Sequence, residues 1–330
     1  MRNGKLIQVC TGLLFAATIF LGAFLLFQVQ PLIGRFLLPW FGGTPEVWTT
    51  CMLFFQVFLL AGYAYAHWLS GLGNPRLQTV IHIALLGASL LFLPILPGDV
   101  FKPTAEDIPV LQILLICAVT VGLPYLLLAA TSPLIQAWFA QSLPNRNPYR
   151  LYALSNTGSL LGLATFPFVF EPVFTRVQMV HLWSMAFAVF TLLCAVAALM
   201  ARRHRSVLQP LPEAHEPEPA VRPTISTWWL WVALPAVASV ELLSVTEKIT
   251  QDVAVIPFLW VLPLSVYLLS FIICFEHQRW YRRWLFVPLF MAGIGGVIYI
   301  RLYEDMMSAY EVIGIHVLML FACAMVCHGE

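Results

Sequence analysis

Runs of about twenty apolar residues recur along almost the whole chain, and that recurrence decides what it can fold into. A helix rising 1.5 Å per residue needs about 20 such residues to cross the hydrocarbon of a bilayer. The runs fall near 12–38, 47–70, 78–96, 109–130, 150–170, 179–200, 228–244, 253–275, 284–301 and 311–327. A water-facing surface could not be built between them. Only 10% of the residues are charged and 60% are hydrophobic, where a soluble domain carries about 25% charged residues. The expected fold is therefore an all-α polytopic membrane protein of about ten transmembrane helices, with the lipid bilayer as its first partner.

The first run could be taken for a secretory leader, since Arg2 and Lys5 precede it. It extends from Gly12 to Phe27 without a polar cleavage region and continues to Trp40. A secretory apolar core has about 7–15 residues, so this reads as a first transmembrane helix. Lys and Arg then orient the chain, because cytoplasmic loops hold an excess of them. The N-terminus and the even-numbered loops carry Arg2, Lys5, Arg76, Arg146, Arg150, Arg202, Arg203, Arg205, Arg222, Arg279, Arg282 and Arg283. The odd-numbered loops carry Arg35, Lys102, Arg176, Lys248 and Arg301. Twelve against five puts both termini in the cytoplasm.

Between the sixth and seventh runs lies the one long polar stretch, 201–227, with Glu213, Glu216 and Glu218 among prolines. Such a composition cannot bury apolar area and is expected to be a disordered cytoplasmic linker. It divides the chain into a six-helix bundle, 1–200, and a four-helix bundle, 228–330. Many transporters are built from three-helix repeats of inverted topology. Leu25-Leu26 followed by Pro31-Leu32-Ile33 recurs 102 residues later as Leu127-Leu128 followed by Pro133-Leu134-Ile135, on helices expected to cross in opposite directions. A second half copying the first would have six helices. Four are found, so the second bundle is expected to be incomplete, with an apolar groove where two more helices would pack.

Polar groups inside a bilayer are costly and mark functional positions. Gln28, Gln30 and Gln56, with Asn156 of Ser155-Asn156-Thr157, are the amide candidates for binding a solute. The plainer alternative is that they fasten helices together, at about 0.6 kcal/mol per interhelical hydrogen bond. Gly158 and Gly162 form a GxxxG that permits close helix packing. Arg35 lies in Pro31–Trp40, where it either snorkels to the interface or pairs with an acid, Glu46 or Asp252 first. Glu171, Arg176, Glu241, Glu247 and Lys248 belong to the same outer set.

No catalytic set, metal site or cofactor loop is visible. His67, His82, His181 and His316 stand singly, and the seven cysteines form no CxxC. Cys323 and Cys327 share a helix face near His328 but read as small buried thiols. Gly293, Gly295 and Gly296 follow no strand, so they are not a nucleotide loop. A net charge of +1 with no basic face excludes nucleic acid as a partner.

Phe27-Gln28-Val29-Gln30-Pro31, Leu38-Pro39-Trp40-Phe41-Gly42-Gly43 and Val47-Trp48-Thr49-Thr50-Cys51-Met52 resemble the opening of the fused membrane/spermidine-synthase-like proteins of bacteria. Gly62-Tyr63-Ala64-Tyr65-Ala66-His67, Tyr149-Arg150-Leu151-Tyr152-Ala153-Leu154-Ser155-Asn156 and Leu259-Trp260-Val261-Leu262-Pro263-Leu264 continue the likeness. The resemblance implies a transporter-like membrane half in the bacterial inner membrane, followed in family members by a cytoplasmic aminopropyltransferase-like domain. That domain is absent from these residues, so the chain is not expected to be an enzyme.

Two functions follow. The first is a transporter-like domain that moves or senses a small solute, polyamine-related if the resemblance holds. The second is a membrane anchor and scaffold for a synthase-like cytoplasmic domain or subunit. Convergence of Gln28, Gln30, Arg35, Gln56, Asn156 and Asp252 on one mid-membrane site would favour the first. Dispersal at helix contacts would favour the second.

Overall fold

The computed structural model describes residues 2–42, 45–98, 101–103, 108–142, 149–207, 224–252, 261–276, 279–303 and 306–330. All its regular structure among these residues is helical. It divides into two compact units, Met1–Gln209 and Pro210–Glu330.

The first unit holds α1 (Arg2–Phe41), α2 (Pro45–Gly71), α3 (Pro75–Ser89), α4 (Pro109–Cys117), α5 (Leu123–Ser142), α6 (Tyr149–Thr165), α7 (Glu171–Val173) and α8 (Arg176–Val207). A π-helical turn, Ala118–Gly122, joins α4 to α5, and another, Phe166–Phe170, joins α6 to α7. Each pair therefore forms one long span. Local chemistry sets the ends. Asn74 caps α3, its side chain accepting from the backbone N–H of Arg76 at 2.9 Å, and Pro75 occupies the first helical position, where a missing N–H costs nothing. Gly42 ends α1 with φ 89°, a left-handed conformation that glycine adopts freely, and its N–H returns to Leu38 at 2.9 Å.

α1 is the central helix of this unit, packed against α2, α5, α6 and α8. Named contacts fix the directions. Gly158 and Gly162 of α6 lie on Phe20 and Phe24 of α1, so the two helices run parallel. Phe15 meets Phe139 and Gln30 meets Tyr125, so α5 runs antiparallel to α1. Gly22 lies on Phe190 and Phe36 on Arg176, so α8 does too. These are the relations that alternate crossings of a membrane demand. Leu25, Leu32, Ile33, Leu127, Leu134 and Ile135 are all buried.

The second unit holds α9 (Ile225–Asp252), α10 (Val261–Glu276), α11 (Arg283–Tyr303) and α12 (Ala309–Gly329). α12 is its hub, touching the other three. Ser308 begins α12 with a capping box: its hydroxyl accepts from the Glu311 N–H while the Glu311 carboxylate accepts from the Ser308 N–H at 2.8 Å. Gly293 and Gly296 of α11 lie on Met319 and Ile315, so α11 and α12 pack closely and antiparallel.

Among the described residues nine helices are long and apolar enough to cross a membrane, which makes this a multi-pass membrane protein. Of the eighth expected span, 253–275, the described part is the apolar helix Val261–Glu276. Residues 253–260 and most of the expected linker, 208–223, lie outside the described residues.

Candidate functional site

The polar residues of the first unit are positioned by how closely α6 approaches α1. A methyl group on Gly158 would stand 2.7 Å from the Phe20 carbonyl oxygen, and one on Gly162 would collide with that of Phe24. Only glycine allows this approach, and it brings polar side chains of α1 and its neighbours into reach. Gln28 Nε2 donates to Thr165 Oγ1 at 3.4 Å. Gln30 Nε2 donates to the Tyr125 hydroxyl at 3.2 Å. Trp183 Nε1 donates to the Leu25 carbonyl at 3.0 Å. Two positions along a helix is a rotation of about 200°, so the glutamines face different neighbours. They fasten α6 and α5 to α1 and do not converge on one site.

At the C-terminal end of α1 the charged residues do gather. Arg35 Nη2 lies 3.6 Å from Glu171 Oε1. The π turn of Phe166–Phe170 delivers Glu171 to that level. The Arg176 guanidinium stands 5.7 Å over the Phe36 ring, a cation–π contact. Trp48 of α2 packs on Gly34. Arg35 thus pairs with an acid as expected, but the partner is Glu171 and not Glu46. The reason is the parallel packing of α6 on α1, which stacks their C-terminal ends. Arg35 Nη1 is buried and has no hydrogen-bond partner.

Asn156, on α6, likewise has a buried Nδ2 without a partner. Gln56 stands on the exposed side of α2, away from this set. Asp252 ends α9 in the second unit, and its side chain lies outside the described residues.

Sequence reasoning missed a buried relay in the first unit. The Tyr65 hydroxyl lies 3.1 Å from His82 Nδ1, and Cys194 Sγ lies 3.4 Å from His82 Nε2. Trp138 meets the imidazole edge-on. A signal was available: Tyr65 and His82 stand nearly equal distances from the turn joining α2 and α3. In the second unit the His328 ring stacks on Phe271 at 3.7 Å, and its Nδ1 lies 3.0 Å from Ser270 Oγ. Glu330 gathers the Tyr281 hydroxyl at 2.8 Å and Arg283 at 3.3 Å. Burial, then the hydrogen bond to this carboxylate, pushes the Tyr281 hydroxyl up to about 12. Among the described residues no three His, Cys, Asp or Glu side chains are arranged to hold a metal ion.

Fold and polar groups together define a multi-pass helical membrane protein with ionisable residues inside or beside its spans. No protein-family model, curated protein or solved structure matches the chain.

Proposed function

We propose that the chain is a transporter-like membrane domain that moves or senses a small solute. The observation that supports this reading is the buried donor Arg35 Nη1, which meets no acceptor. An orphaned buried donor costs about 1–3 kcal/mol, and a solute acceptor would recover that. Because it is a cationic donor, it suits a carboxylate- or carbonyl-bearing solute better than a polycation. The atom does not meet solvent in this packing, so access requires the helices to part, as alternating access does. The antiparallel, similarly buried Leu-Leu…Pro-Leu-Ile segments of α1 and α5 favour an inverted-repeat origin.

The expected result is that acidic solutes raise the melting temperature of the purified chain in detergent, and that Arg35→Gln abolishes the rise. A rise with polyamines instead would overturn the acceptor-bearing solute. No rise with any solute would favour the second reading, the anchor for a synthase-like domain, which the dispersed Gln28 and Gln30 bonds also support.

The resemblance to the fused membrane/spermidine-synthase-like proteins implies a bacterial inner membrane, and the charge asymmetry supports an orientation with both ends in the cytoplasm. Reporter fusions after Arg203 and after Gly329 are expected to report the cytoplasm. A periplasmic signal at either would overturn the orientation.

A further inference from the structure

Within the second unit, α9 and α12 pack antiparallel. Ala238 lies beside Cys327, while Val245 and Ile249 pack with Leu320. Glu241 therefore falls between the levels of Cys327 and Leu320, well inside the apolar length of α9. Counting along that helix, Trp231 is ten residues below it and Glu247 six above, or about 15 Å and 9 Å at 1.5 Å per residue. One carboxylate oxygen, Oε1, is buried and has no hydrogen-bond partner, and no ion pair to Glu241 is formed among the described residues. A carboxyl placed so is not fastening helices. Carboxyl and imidazole groups inside membrane spans serve as proton stations.

His316 is a group of the opposite kind on the facing helix. It is buried on the same seam of α12, one turn beyond Leu320 toward the Glu311 end, within electrostatic range of Glu241. Its Nδ1 lies 2.8 Å from the Val312 carbonyl oxygen. That oxygen can only accept, so Nδ1 carries the hydrogen and Nε2 is the nitrogen left to exchange one. The other titratable groups near this seam are Cys323, Cys327 and His328 of α12, Tyr267 of α10, and Glu247 and Lys248 farther along α9. α11 meets α12 there through Gly293 and Gly296.

We propose that Glu241 is a proton-binding site inside the membrane and that His316 passes the proton between it and the Glu311 end of α12. A proton arriving at Nε2 makes the imidazolium. Its transfer to the Glu241 carboxylate gives the neutral acid and restores the neutral imidazole. No electrons move, and because no hydrogen bond joins the two side chains the proton crosses between them through water. The site does not rest on the solute reading above.

The test is infrared difference spectroscopy of the full chain reconstituted in phosphatidylcholine–phosphatidylglycerol vesicles. A carbonyl-stretch band of a protonated carboxylic acid is expected to appear on acidification and to be lost in Glu241→Gln. Glu241→Asp should keep a band, displaced in frequency, which guards against a variant that has simply misfolded. After a pH jump, His316→Gln should slow the appearance of the band about a hundredfold, the low end for a positioned proton-transfer group. A band unchanged in both Glu241 variants would overturn the site. A rate unchanged in His316→Gln would overturn the role of the histidine. Neither result bears on solute binding at Arg35.

Discussion

Replacing Gly162 with leucine is expected to leave the first unit unable to pack. Even a methyl group there collides with the Phe24 carbonyl oxygen of α1, and backbone cannot swing aside as a flexible side chain can. Overpacking costs typically 1–3 kcal/mol. Here the displaced element also carries Thr165 away from Gln28, so a loss of about 3 kcal/mol or more is expected. The measurement is the fraction of monodisperse chain recovered in mild detergent, with its thermal unfolding. Gly295→Leu is the control, because nothing stands within 4 Å of a Cβ placed at that position. Equal recovery of the two variants would show that α6 does not approach α1 as described.

A second large effect is expected at the charged end of α1. Glu171→Leu leaves the Arg35 guanidinium, already short of one partner, without its counter-ion. Removing one member of a buried pair costs about 3–5 kcal/mol. Both side chains here are about a quarter exposed, 27% and 26%, so a loss of roughly 1–3 kcal/mol is expected, discounted for screening. Arg35→Met combined with Glu171→Leu should recover most of it, because lipid tails solvate the replacements well. The check is a double-mutant cycle on thermal or denaturant unfolding in detergent. Additive single effects, with no recovery in the double variant, would mean that the contact does not couple the two residues.

Most of the architecture was legible because a bilayer imposes one length on every apolar run. Seven of the expected spans lie inside candidate spans of the structure at both ends, the fourth among them ending ten residues short of Ala140, while the third and fifth overlap Pro75–Phe92 and Leu151–Val173 with ends displaced by one to four residues. Chemistry between helices was harder to read. Arg35 was expected to find Glu46 or Asp252 first, and found Glu171, which the same topology had already set at that level. The missing step was knowing that the span of α6 and α7 presents its acid there. Gln28 and Gln30 were recognised as polar, but their partners Thr165 and Tyr125 were not, since hydroxyls are unremarkable in an apolar helix. His82 and His316 were passed over as single residues, and Glu241 was grouped with the outer charged set. Each acquires meaning only from a side chain on another helix, and no spacing rule along one chain records that.

The place of α1 at the centre of its unit also has a consequence for biosynthesis. It leaves the ribosome before the other helices of its unit, yet its polar side chains are satisfied by helices made later. Thr165 follows Gln28 by 137 residues and Tyr125 follows Gln30 by 95. At about 5–20 residues per second of synthesis, the wait is on the order of ten seconds. Throughout it α1 carries two amides and a guanidinium with no protein partner. The nascent helix therefore has to be sheltered by the insertion machinery, or held near the headgroups, until α5, α6 and α8 arrive to close around it.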